Sequence, residues 1–184
     1  MRIDSRDIID LRPDVSANVR IFIDLMKEKG FPVGISSTYR NDEQQAWLYA
    51  QGRTRPGQIV TGSRVTTFHG ARLAFDMYQN IKGKEWNDAA FWKAGDEILA
   101  QMGFSRLSNE KCHAQWSDGG KFSGTQVRSG ILPRPMPSFK DEVAGYKDVI
   151  QKRVGYSKPE DVWKLLDAHP YAKDLYRKWA ESYR

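Results

Sequence analysis

The sequence predicts an α+β protein with a small, mainly antiparallel sheet, flanking helices and a helical C-terminal segment. Apolar residues recur at helical spacing in some stretches and alternate at strand spacing in others, in the order helix, strand, helix, loop, strand, helix, strand. A proline-rich segment, Gly130 to Ser138, holds three of the eight prolines and reads as a stiff, extended spacer. At 184 residues the chain is long enough to bury roughly two thirds of its unfolded surface in a core.

Each element follows from local chemistry. Val15, Val19, Phe22, Ile23 and Met26 form one apolar face after Pro13-Asp14, and Gly30 closes that helix. Val33 to Ser37 reads as a strand. Asn41, followed three residues on by Gln44, reads as a helix start that carries Trp47 and Leu48 inward until Gly52. Gly52 to Gly70 is polar and contains Pro56-Gly57, so it is expected to be a long loop with a short strand at Ile59-Val60. Leu73 to Tyr78 alternates as a strand. Asn87 or Asp88 caps a helix running through Phe91, Trp92, Ile98 and Leu99 to Gly103, and His113 to Trp116 is a short strand candidate.

The expected domain organisation is a first domain over 1–129, a linker over 130–138 and a helical accessory segment over 139–184. In the last, helices are expected from about Lys140 to Val154, from a capping box at Ser157-Lys158-Pro159-Glu160, and from about Tyr171 to Tyr183.

Composition narrows the function classes. No apolar run approaches the roughly 18 residues that cross a bilayer, so no membrane insertion is expected. The start, MRIDSRDIIDLRPD, alternates charges where a signal peptide is apolar, which predicts synthesis in the cytoplasm without one. Cys112 is the lone cysteine and excludes an internal disulfide framework. A net charge of +6 and a pI near 9.4 suit polyanionic surroundings, nucleic acid or an anionic bacterial wall alike. The basic residues are spread along the chain and carry no helix-turn-helix, RNA-recognition or finger signature, so nucleic acid is not expected as a partner.

Two strings carry chemistry: His69-Gly70-Ala71-Arg72-Leu73-Ala74-Phe75-Asp76 and Glu110-Lys111-Cys112-His113. Two imidazoles, one carboxylate and a spare glutamate are the inventory of a catalytic Zn2+ site with three protein ligands and a general base. Such an ion keeps net positive charge and lowers the pKa of its water towards about 7. Glu110 could take the proton from that water and pass it to a leaving amine. On a strand Ala74 and Asp76 share a face, which sets a small side chain beside the carboxylate, while Leu73 and Phe75 face the core. His69, at an odd offset from Asp76, should project from a loop that Gly70 bends. Glu110 and His113, three apart, would diverge on one regular strand, so Glu110 is expected in the preceding turn.

At these residues the chain resembles the zinc peptidoglycan peptidases, the D-alanyl-D-alanine carboxypeptidases and dipeptidases and the L-alanyl-D-glutamate endopeptidases used as phage endolysins. The resemblance runs from about Ile21 to Trp116. Its further marks are Ser37-Thr38-Tyr39-Arg40 with Glu43-Gln44, and the run from Leu48-Tyr49-Ala50-Gln51-Gly52-Arg53-Thr54 to Thr61, which is closest to the endolysin branch. The resemblance implies zinc ligation by His69, Asp76 and His113, Glu110 as base, and Arg40 holding the substrate carbonyl or carboxylate and stabilising the oxyanion, a role suited to a fixed, charged fork.

It further implies peptidoglycan stem peptide as substrate and an L-alanyl-D-glutamate endopeptidase of phage or prophage origin, released to the wall by a pore, host lysis or particle delivery. The alternatives are a D-alanyl-D-alanine carboxypeptidase or dipeptidase, and a weakly active wall-binding or virion structural protein whose contact runs through 139–184. The chain departs from the family pattern at Thr67, where serine is usual, at Arg72, where glycine is usual, at Cys112, where proline is usual, and at Phe104-Ser105-Arg106-Leu107, which replaces Trp-Gly-Gly.

Plainer readings stand beside these. Glu110 can be a solvated turn residue and Arg40 a structural ion pair. Cys112 can be a small buried side chain or a fourth ligand. His169 reads as structural, and the aromatic residues of the tail as helix packing rather than a sugar platform.

Overall fold

Val33–Ser37 (β1), Ala74–Gln79 (β2), Ser105–Leu107 (β3) and Glu110–Gln115 (β4) form one antiparallel sheet in the order β1-β2-β4-β3. The structure is a computed structural model and describes residues 1–108 and 110–183. The helices are Pro13–Glu28 (α1), Asp42–Ala50 (α2), Ala89–Met102 (α3), Gly124–Arg128 (α4), Phe139–Val154 (α5), Pro159–Asp167 (α6) and Ala172–Glu181 (α7), so the class is α+β. Among the described residues no helix is long and apolar enough to cross a membrane. The chain divides into two compact units, Met1–Met136 and Pro137–Arg184.

Period-two alternation along β2 decides which side of the sheet is core. Leu73, Phe75 and Met77 are fully buried, and the Phe75 ring lies 5.9 Å from Phe22 of α1 and 5.6 Å from Phe104. Burying one such side chain contributes about 1.5–3 kcal/mol. With α1 and α3 contributing Phe22, Met26, Phe91 and Leu99 to this core, Asp76 is left pointing to the other face.

Caps set the helix ends. Asn41 accepts from Gln44 N at the start of α2, and Asp88 accepts from Ala90 N and Phe91 N at the start of α3. Gly103 closes α3 in the left-handed conformation.

Several elements differ from the sequence expectation. Ile59 and Val60 form no strand and are exposed, since no strand pairs with them. The short strand β3 has three residues and too little alternation to be read. Helix α4 carries a legible signal, the capping box of Ser123 with Gln126. The box expected at Ser157 does not form: α6 starts at Pro159 with Lys158 as cap, because a residue before proline is pushed out of the helical region.

After α4, residues 133–136 of the proline-rich segment lie against the start of α1 and Trp116. Arg12 donates to the carbonyls of Pro133 (3.0 Å) and Arg134 (3.0 Å), Trp116 Nε1 donates to Arg134 O, and Met136 is buried.

In the second unit, α5, α6 and α7 close around Ile150, Tyr176 and Ala180. Trp163 stands edge-on to Tyr176 with ring centroids 5.7 Å apart, and Trp179 packs on the same cluster, so both tryptophans are helix-packing groups. Tyr176 donates its hydroxyl to Asp167, and His169 Nδ1 accepts from Tyr171 N in the turn before α7.

Candidate metal centre

The sheet register brings the first three polar groups into one row. Asp76 of β2 lies directly opposite His113 of β4 on one side and Ser37 of β1 on the other. Directly paired residues present their side chains on the same face, within reach of each other. On β1 this depends on an irregularity at Ser36, an extra residue between the pairs Ile35–Met77 and Ser37–Asp76. Without it Ser36 would sit opposite Asp76.

His69 arrives from outside the sheet, in the turn that precedes β2. A side chain at Gly70 would run into Thr66, so the tight turn requires glycine there for space. Arg72 takes the left-handed conformation, with φ 63°, where the resembling family usually has glycine. Its guanidinium donates to Asp10 O and lies 4.3 Å over the Tyr39 ring, contacts that offset the backbone strain. The loop before the turn is tied down at both ends. Gln45 donates to Thr61 Oγ1 and Ser63 O. Asp42 accepts from Thr66 N, Thr66 Oγ1 and Arg128, and the hydrogen bond from Arg128, with those from Thr66, holds its carboxyl down at about 2.

His69, Asp76 and His113 thus converge, each offering a ligand atom, with these atoms all within 4.8 Å of one another. Their hydrogen bonds say which atoms are free. His69 Nδ1 donates to Thr38 O at 2.6 Å, since a carbonyl can only accept, so the neutral ring has its lone pair on Nε2. His113 Nε2 donates to Gln115 Oε1 at 3.0 Å, which leaves the lone pair on Nδ1. These two free nitrogens face each other at 3.3 Å, with Asp76 oxygens 3.1 Å from His113 Nδ1 and 3.4 Å from His69 Nε2. Lone pairs gathered this closely repel unless a proton or a cation stands among them. Ligands about 2.0–2.1 Å from a tetrahedral zinc lie about 3.3 Å apart, so the spacing and the donor set fit a divalent ion. Burial pushes the Asp76 carboxyl up, but the hydrogen bonds and charges of His113 and His69 outweigh it and hold the group well below the usual carboxylate range.

Thr38 O and Gln115 are the groups that orient these ligands, and neither was singled out from the sequence. Gln115 had a signal: it lies two residues past His113, on the same face of a strand. Replacing it by leucine is expected to weaken metal binding about 10- to 100-fold by freeing the His113 tautomer, as measured by competition with a chromophoric chelator. Unchanged affinity would remove Gln115 from that role.

Around the three ligands lies a cleft of about 570 Å³ whose lining includes Arg40, Gln45, Val60, Thr61, Val65, Glu110 and Cys112. Arg40 donates to Asp76 Oδ2 (3.2 Å), Ser37 Oγ (2.9 Å) and Gln45 Oε1 (3.0 Å). Glu110 stands in strand β4, where the sequence reading expected a turn. The parity problem is solved by an irregularity in pairing with β3, where Leu107–Glu110 and Arg106–Ala114 are consecutive pairs. That slack lets Glu110 and His113 line the same cleft.

Cys112 does not join the three ligands. Burial first, then the nearby charges of Asp76 and Glu110, push its thiol up to about 11. In the metal-free protein it should resist iodoacetamide at neutral pH and react only as the pH climbs towards that value, followed by intact mass; fast neutral-pH labelling would contradict this.

The chain matches no family profile. It is 32% identical over 106 residues to the peptidoglycan L-alanyl-D-glutamate endopeptidase CwlK of Bacillus subtilis, a match that takes in 52% of this chain. The chain spans 64% of that relative's length. Among solved structures, the Serratia marcescens L-Ala D-Glu endopeptidase ChiX aligns over 72% of this chain and 95% of its own, with 13% identity and a TM-score of 0.45.

Proposed function

Starting from the chain's similarity to a peptidoglycan L-alanyl-D-glutamate endopeptidase, we propose that it hydrolyses the L-alanyl-D-glutamate bond of bacterial peptidoglycan stem peptides, with zinc held by His69, Asp76 and His113. The observation that carries the reading is the convergence of those three ligand atoms in one cleft with Glu110 and Arg40. Zinc, when bound, supplies a Lewis acid that polarises the scissile carbonyl and acidifies water.

The chain's own residues supply the rest. Glu110, on the cleft wall, takes a proton from the attacking water and delivers it to the departing amine. Arg40 points its guanidinium fork into the cleft and donates to the oxyanion that develops on the carbonyl. Gln45 holds the Arg40 fork by one amino group while fixing the loop at Thr61 and Ser63, so the same amide sets both the fork and the cleft wall. Val60 and Val65, on that loop, give one side of the cleft an apolar lining. The run Leu48 to Thr61 supports the finer reading of a phage or prophage lysis enzyme.

The test is mass spectrometry of the fragments released from purified sacculi by the zinc-loaded protein. New N-terminal D-glutamyl ends are expected. Free D-alanine would move the assignment to a carboxypeptidase, and no release from any wall type would reject peptidoglycan hydrolysis.

A further inference from the structure

We propose that Asp4 is a positioning residue for Arg40, a hold that matters to turnover through the role given to Arg40 above. Asp4 lies 36 residues away in sequence and belongs to no motif. The segment around it is paired to the stretch that carries Arg40: Ser5 N donates to Tyr39 O, Thr38 N to Ser5 O and Asn41 N to Ile3 O, making an antiparallel bridge between Asp4 and Arg40. This brings the Asp4 carboxylate into the cleft.

There it is held in place. Asp4 Oδ1 accepts from Ser37 Oγ at 2.7 Å and lies 3.5 Å from Arg40 Nε, a buried nitrogen that makes no hydrogen bond of its own. Gln44 reaches Oδ2 at 3.4 Å. Ser37 is thus shared, donating to Asp4 and accepting from Arg40.

The need for such a group follows from charge. Arg40 faces two carboxylates, Asp4 and Asp76. Asp76 is also one of the three metal-binding candidates, so a cation bound there draws on the charge that now attracts Arg40 and adds positive charge of its own. Asp4 is then the carboxylate left to hold the guanidinium at the cleft, rather than letting it be repelled. Charge and fixed geometry both matter, since a fork displaced by about 1 Å from a developing oxyanion loses much of its effect.

The experiment compares Asp4→Ala, Asp4→Asn and Asp4→Glu in the full chain. Asn can still accept from Ser37 and so removes the charge with the least disturbance. The first readout is the Arg40 Nε–H resonance in nitrogen-15 NMR, which should be sharp in the parent protein and broadened or shifted to an averaged position in Asp4→Ala and Asp4→Asn. In the zinc-loaded protein kcat should fall about 10-fold in both with little change in KM, and partly recover in Asp4→Glu. In an Arg40→Ala background Asp4→Ala should add no further loss.

An unchanged Arg40 signal in Asp4→Ala overturns the proposal, as does an equal loss of kcat with and without Arg40. If Arg40→Ala alone keeps full turnover, the reading of Arg40 falls, and the NMR comparison by itself decides whether Asp4 holds it.

Discussion

His113→Ala is expected to leave the protein without stoichiometric metal. His113 stands opposite Asp76 in the sheet register, and its Nδ1 is kept free by the hydrogen bond from Nε2 to Gln115, so it offers a prepared lone pair. Removing it leaves one imidazole and one carboxylate, too few to hold zinc against water. The loss should exceed the about 10- to 100-fold that follows from disturbing a supporting partner. The His113 ring is buried and its removal also opens space beside His69, whose ring centroid lies 5.0 Å away. Metal content after dialysis measures the effect, with circular dichroism to confirm that the sheet persists. A folded His113→Ala protein that binds zinc fully would overturn the ligand assignment.

Glu110→Gln should separate chemistry from binding. The amide keeps the size and the place of the side chain on the cleft wall but cannot take a proton from water, and it lies outside the group of three ligand atoms. Zinc content should therefore match that of the parent protein while turnover of a stem-peptide substrate falls about 10²- to 10⁴-fold, the range for losing a general base. The loss should appear in kcat, since a group that acts on the attacking water contributes little to holding the peptide. Turnover equal to the parent's would take Glu110 out of the mechanism.

Most of the secondary structure could be read from the chain because local signals and tertiary demands agree. The strand at Val33–Ser37, the cap at Asp88 and the left-handed stop at Gly103 all stand where their chemistry predicts. Expectations failed where a neighbour decided the outcome: Ile59-Val60 has no strand beside it, and Pro159 overrules the serine cap two residues earlier. Glu110 failed the parity argument for a third reason. That argument assumes a regular ladder, and the irregular pairing of Leu107 with Glu110 breaks the assumption.

The sequence by itself determined the candidates: His69, Asp76, His113 and Glu110 were legible because metal and acid–base chemistry need rare residue types at restricted spacings, and Arg40 through the family resemblance, while the structure brings the two imidazoles and the carboxylate together. The tertiary structure alone decided how they are held. Which nitrogen of each histidine is free depends on Thr38 O and Gln115, which row Asp76 joins depends on the irregularity at Ser36, and the charge beside Arg40 comes from Asp4 through pairing of distant backbone. The physical reason is that hydrogen-bond partners and charges act through space over a few ångströms, and only the folded backbone brings positions distant in sequence within that range.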